Sequence, residues 1–130
     1  LVALTAMALS SLSVFIVNAM YFRARPFESL DATLLFYRPT DSSFPSNAAA
    51  AVFGIAFAVW GVNRRIGSLF IAAAAVYGFS RVYAGVHYPL DIVASALIAA
   101  PVAWLTFRLR DLLMPIVRLV MKAVRILCLA

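Results

Sequence analysis

The 130 residues contain one cysteine, one histidine and five carboxylate side chains, and each scarcity excludes something. Cys128 can form no internal disulfide and has no thiol partner for a metal site. With His87 the sole imidazole, the sequence offers no His, Cys or carboxylate cluster of the kind that holds zinc. Charge is scarce too. Only 12% of residues are charged, against 65% hydrophobic ones and a mean hydropathy of +1.00, too little to cover an aqueous surface. A bilayer is therefore the natural solvent, for one domain and no more. The net charge of +6 calls for no nucleic-acid partner, because in a membrane chain unevenly placed Lys and Arg report orientation first. Residues 1–22 lack the charged start and small-residue cleavage site of a secretory leader, so they read as a retained span.

What is present is a set of apolar runs. Residues 1–21 form an uncharged stretch of the length a bilayer demands, roughly 20 residues at about 1.5 Å each. Residues 22–45 carry Arg23, Arg25, Pro26, Glu28, Asp31, Arg38, Pro39, Asp41 and Pro45, a density of charge and proline that places them outside the hydrocarbon. Inside that loop, apolar residues at 27, 30, 34 and 37 predict a short interfacial helix over 27–37. Ser46 reads as the N-cap of a second span, 47–62, which ends in a turn at Asn63-Arg64-Arg65. A third span is expected over 66–83 and a fourth over 89–107. The fold class expected is all-α, a polytopic transmembrane bundle with its site at one membrane face. Residues 111–130 differ from the spans. Arg118, Lys122 and Arg125 share one helical face opposite Leu119, Val120, Met121, Val124 and Leu127, so this segment reads as an amphipathic helix on the membrane surface rather than a fifth span with three cations in hydrocarbon.

Four alternating spans bring the 22–45 loop and the 80–91 junction to the same face, where Arg25, Ser46, Arg81, His87 and Asp91 can meet. Arg64, Arg65, Arg108 and Arg110 collect at the other face with the C-terminal cations. That face is expected to be cytoplasmic, and the polar cluster to look outward to the periplasm or exterior of the cell membrane. Arg25 and Arg81 offer forked donors suited to phosphate oxygens. Ser46 and the free amides opening the second span add neutral donors and a helix N-terminus. His87 and Asp91, four apart, suggest a carboxylate lying under an imidazole, which would hold one ring nitrogen as donor and leave the other as nucleophile or base.

The stretches "RARPF" (23–27), "FPSN" (44–47) and "SRVYAGVHYPLD" (80–91) resemble the three signature motifs of the type 2 phosphatidic acid phosphatase family of membrane lipid phosphatases. The resemblance implies that His87 attacks phosphorus to form a phosphohistidine while Asp91 orients and polarises it. It further implies that Arg25, Arg81, Ser46 and the backbone at Asn47 bind the phosphoryl oxygens, and that no metal or other cofactor takes part. Members typically have six spans with the first motif after the third, which implies that two spans are absent here. Two positions depart from the pattern. The family's lysine seven residues before the first-motif arginine falls on Asn18, and the second-motif histidine that protonates the leaving group falls on Ala48.

Loss of a general acid costs about a hundred- to ten-thousandfold in rate when the leaving group is poor, and less for a diphosphate. An engineered substitution, a natural non-catalytic relative and an acid recruited from elsewhere all fit Ala48, in that order of preference. The "DSSFPSN" and "RPF" forms are similar to those of bacterial undecaprenyl-pyrophosphate phosphatases of the bacitracin-resistance type, which recycle the carrier lipid of cell-wall synthesis. Glycerophospholipid phosphatases of the same family, and a protein that binds or carries a polyprenyl phosphate without cleaving it, remain alternatives. The expected partners are a lipid phosphate or diphosphate and the surrounding membrane lipids; no obligate protein partner is inferred.

Overall fold

The computed structural model describes residues 1–29 and 38–129, and every regular element among them is a helix. In chain order these are α1 (Val2–Met20), the single turn α2 (Pro26–Ser29), α3 (Asn47–Val62), α4 (Arg64–Tyr83), α5 (Pro89–Arg108) and α6 (Arg110–Leu129). Most of the interfacial helix expected over 27–37 falls on residues 30–37, outside the described residues. The fold is an all-α transmembrane bundle. α1, α4 and α5 are each long and apolar enough to cross a membrane. α3 is not equivalent to them: its 16 residues reach about 24 Å, short of a hydrocarbon core of about 30 Å. It compensates by position, because α1, α4 and α5 all pack on it.

Packing follows membrane rules. Leu4, Phe15, Leu69, Phe79 and Leu97 are each more than half exposed, whereas the buried seams are lined by Ala6, Ala49, Ala56, Ala58, Ala74, Ala99 and Ala103. Large apolar side chains gain nothing by leaving lipid, so helix association rests on small residues that let backbones approach. Gly67 shows how close that approach is. A Cβ there would lie 2.1 Å from Cα of Trp60, where α4 folds back on α3.

The reversal between α3 and α4 is tighter than the three-residue turn read from the sequence. Asn63 alone separates the helices, and its side-chain oxygen accepts from the N–H groups of Arg65 and Ile66. An Asx cap of this kind satisfies two orphan amides at once, so Arg64 and Arg65 join the helix. Cations and aromatic rings mark this end of the bundle: Arg64 lies 3.5 Å from the Trp60 ring centroid, and Arg108 and Arg110 lie over Trp104 and Phe107. Trp rings at such a level are typical of a membrane interface. α6 starts at Arg110 after a one-residue break at Leu109 and, among the described elements, packs on α5 and α1. Arg118, Lys122 and Arg125 are exposed on it, and so are Leu119, Val120, Met121 and Val124.

Candidate active site

At the opposite end, two extended strips cross the mouth of the bundle. Residues 21–25 leave α1 and residues 38–46 lead into α3. They are tied together by the Ser43 N–H donating to the Arg23 carbonyl at 2.9 Å and the Arg23 N–H donating to Ser42 Oγ at 3.1 Å. Tyr21 meets Phe44 edge to face, with ring centroids 5.8 Å apart. Asn18 turns its amide NH2 toward the Phe44 and Pro45 carbonyls, so it braces this loop. A third strip, Ala84–Tyr88, joins α4 to α5, and its reversal uses Gly85 at φ 74°, a left-handed conformation that side-chain-bearing residues rarely adopt.

His87 sits on that third strip, 4% exposed. Its Nδ1 lies 2.9 Å from the Ser43 carbonyl oxygen, and its Nε2 lies 3.1 Å from Ser46 Oγ and 3.4 Å from a guanidinium nitrogen of Arg25. A carbonyl can only accept, so Nδ1 carries the proton and donates. Nε2 then presents its lone pair, and both neighbours are donors able to face it. Ser46 completes the arrangement: its Oγ accepts from the Ala49 N–H as the N-cap of α3, leaving the hydroxyl proton for the imidazole. Ser95 on α5 holds the Ser46 carbonyl at 2.9 Å.

The relation between His87 and Asp91 is not the helical one expected from their spacing. Pro89 is the first residue of α5, so His87 lies outside the helix and the two do not stack on one face. Asp91 Oδ2 is 3.7 Å from Nδ1, beyond a direct hydrogen bond. Its carboxylate is instead held by Ser43 Oγ at 2.5 Å, the Tyr88 N–H at 2.8 Å and Arg23 at 2.8 Å. Asp91 is fully buried and Arg23 about one third exposed.

Arg25, Asn47, Ala48, Arg81 and His87, drawn from four segments of the chain, line one cavity of about 580 Å³. Ser46 reaches it through His87, and Asp91 stands behind the imidazole rather than in the wall. Arg25 is 3% exposed, and its guanidinium donates to the Val86 carbonyl at 2.9 Å, the Asp41 carbonyl at 3.0 Å and the Asp41 carboxylate at 2.8 Å. Asn47 opens α3, and its amide is among the four that a helix start leaves without an intrahelical acceptor. Ala48 contributes only a methyl group to the wall. Among the described residues no group of three His, Cys, Asp or Glu side chains is placed to hold a metal ion.

Several residues here were not singled out by sequence reasoning. Arg38, Thr40 and Asp41 also line the cavity, while Ser43 and Arg23 support His87 and Asp91. The available signal was the run Asp41-Ser42-Ser43 directly before the second motif, which reads equally well as ordinary turn chemistry.

A family model described as the PAP2 superfamily matches residues 1–115. Over 108 residues the chain is 35% identical to undecaprenyl-diphosphatase BcrC of Bacillus subtilis (strain 168), covering 83% of this chain and 56% of that protein. It is 33% identical to bacitracin transport permease protein BcrC of Bacillus licheniformis, covering 71% of this chain and 46% of that one. Among solved structures, that of LpxE from Aquifex aeolicus is similar with a TM-score of 0.73 and 32% identity, over 82% of this chain and 66% of that chain. The chain thus spans about half the length of the curated relatives it matches.

Proposed function

The chain belongs to the PAP2 superfamily, and from that membership we propose that its cavity is the active site of a lipid phosphatase acting through His87. In the first step the Nε2 lone pair forms a bond to phosphorus as the bond from phosphorus to the leaving oxygen breaks, the electron pair departing with that oxygen. In the second, the oxygen of a water bonds to phosphorus as the Nε2–phosphorus bond breaks, the electron pair returning to Nε2 and the water's proton passing to solvent, which releases inorganic phosphate. Arg25 and Arg81 pair with the phosphoryl oxygens, and Ser46 Oγ and the Asn47 N–H add neutral donors at the N-terminus of α3. Nδ1–H stays on the Ser43 carbonyl throughout. The observation that carries this reading is the meeting of a lone-pair-bearing Nε2 with Arg25, Arg81 and a helix N-terminus in one cavity.

Ala48 decides the substrate class. A methyl group cannot protonate a leaving alkoxide, but the lipid monophosphate expelled from a diphosphate is stable as an anion and needs that proton far less. A polyprenyl diphosphate is therefore favoured over a glycerophospholipid monoester, in keeping with the relative named undecaprenyl-diphosphatase. The same methyl group, together with the relative named as a transport permease protein, favours a second reading in which the lipid phosphate is bound and carried without cleavage. Asn47 and Arg81 line the cavity from the start of α3 and the end of α4, so Arg64 and Arg65 lie at the far end. With Arg108 and Arg110 they make that end cytoplasmic, α6 lying on its surface and the cavity opening outward from the cell membrane.

The test restores the acid. Ala48→His in lipid nanodiscs is expected to release inorganic phosphate from a polyprenyl diphosphate with a chelator present, at a rate about ten- to a hundredfold above the present chain, below the full worth of a general acid because the diphosphate needs the proton less. Binding of the diphosphate with no phosphate release by either protein would establish the carrier reading instead.

A further inference from the structure

We propose that Ser43 is the positioning residue that fixes the tautomer of His87, and that Asp91 and Arg23 act on the imidazole through it. The inference deepens the phosphatase reading by naming what keeps its nucleophile competent. The direct partner of Nδ1 is the Ser43 carbonyl at 2.9 Å, whereas the Asp91 carboxylate stands off at 3.7 Å. That carbonyl is useful only if Ser43 itself stays put. Ser43 is fully buried and held twice, by its N–H on the Arg23 carbonyl and by its Oγ–H on Asp91 Oδ2 at 2.5 Å.

Asp91 in turn needs Arg23. A buried carboxylate without compensation is costly, and Arg23 supplies the charge at 2.8 Å while lying 4.1 Å from the centroid of the Tyr88 ring. Tyr88 closes the loop, because its own N–H donates to the same Oδ2 that Ser43 occupies. Arg23, Asp91, Ser43 and His87 thus form a relay of contacts in which each member orders the next. Its chemical outcome is the Nδ1–H tautomer, the opposite of the one a free imidazole prefers. If the relay is cut, the proton is free to move to Nε2, where it would block the attacking lone pair.

Because His87 is the only histidine in the chain, nitrogen-15 histidine labelling yields a single imidazole, read by NMR in nanodiscs at mildly alkaline pH, where free imidazole is neutral. The parent is expected to show a protonated Nδ1 and an unprotonated Nε2. Ser43→Ala should shift the larger share to the Nε2–H form, and Ser43→Thr should restore the parent spectrum. Arg23→Gln, at the partly exposed end of the relay, should give a partial shift in the same direction with helical circular dichroism unchanged. In the Ala48→His background, Ser43→Ala should lower kcat by about ten- to a hundredfold with KM little changed. An unaltered nitrogen spectrum in folded Ser43→Ala overturns the proposal. If Ser43→Ala does not fold, an unaltered spectrum in Arg23→Gln overturns it instead. Absence of turnover in the Ala48→His parent would count against the phosphatase reading alone, and the nitrogen spectra would still decide the tautomer.

Discussion

Replacing Asp41 by asparagine should tighten phosphate binding. Arg25 is the most deeply embedded cation of the cavity, yet its outward-facing nitrogen already holds the Asp41 carboxylate at 2.8 Å. An incoming phosphoryl group must displace that carboxylate or bind beside it. The pair is weakly held, because the Asp41 side chain is 67% exposed and pairs screened by water contribute about 0.2–1 kcal/mol. Repulsion between the carboxylate and the incoming anion matters more. At about 6 Å in a water-like dielectric, each unit of anion charge costs about 0.7 kcal/mol against a carboxylate. For a dianion, with further screening by salt, the two effects together favour Asp41→Asn by about 1–2 kcal/mol, or about five- to thirtyfold in dissociation constant. Isothermal calorimetry with inorganic phosphate or vanadate on the nanodisc-embedded protein reads this directly, and the gain should shrink as salt is raised. Unchanged or weaker binding would mean that the anion does not seat on Arg25, and the assignment of the cradle would have to be withdrawn.

Gly67→Ala should destabilise the bundle by about 1–3 kcal/mol, seen as a lower midpoint in thermal or denaturant unfolding, because the added methyl group meets the Trp60 backbone, which cannot step aside; an unchanged midpoint would contradict the close α3 to α4 approach. A cysteine introduced at Asn63, in a Cys128→Ser background, should resist a membrane-impermeant thiol reagent in intact cells and react after permeabilisation, and labelling in intact cells would reverse the orientation. Asp91→Asn in the Ala48→His background should slow turnover by about tenfold or more, since Arg23 then faces a neutral amide and Ser43 loses its charged acceptor; undiminished turnover would remove Asp91 from the machinery.

The helices were legible because bilayer length and hydropathy leave little freedom, and Ser46 was legible as a cap because a hydroxyl before an alanine-rich run has one strong local use. The convergence of Arg25, Arg81 and His87 followed from counting membrane crossings, with motif resemblance supplying the roles. What sequence spacing concealed is instructive. His87 and Asp91 look like a helical pair, but Pro89 fixes the helix start between them, and the preference of proline for a first helical position was available in the sequence. Ser43 was hidden for another reason. Its contributions are a backbone carbonyl, which no residue type announces, and a hydroxyl in a loop already rich in turn formers. Asp41 was lost among the loop charges, since only the folded chain brings it to Arg25, 16 positions away. The short reach of α3 was visible as a residue count, but its central place among α1, α4 and α5 depends on packing that hydropathy does not encode.

The claim that His87 is the nucleophile is tested most directly by trapping the intermediate. Rapid acid-free quench of the Ala48→His protein during turnover of a phosphorus-32-labelled polyprenyl diphosphate, followed by peptide mapping, should place an acid-labile, alkali-stable phosphate on His87. The His87→Ala counterpart should carry no label and release no phosphate while still binding the lipid. Label on another residue, or turnover by His87→Ala at the rate of its parent, would contradict the mechanism.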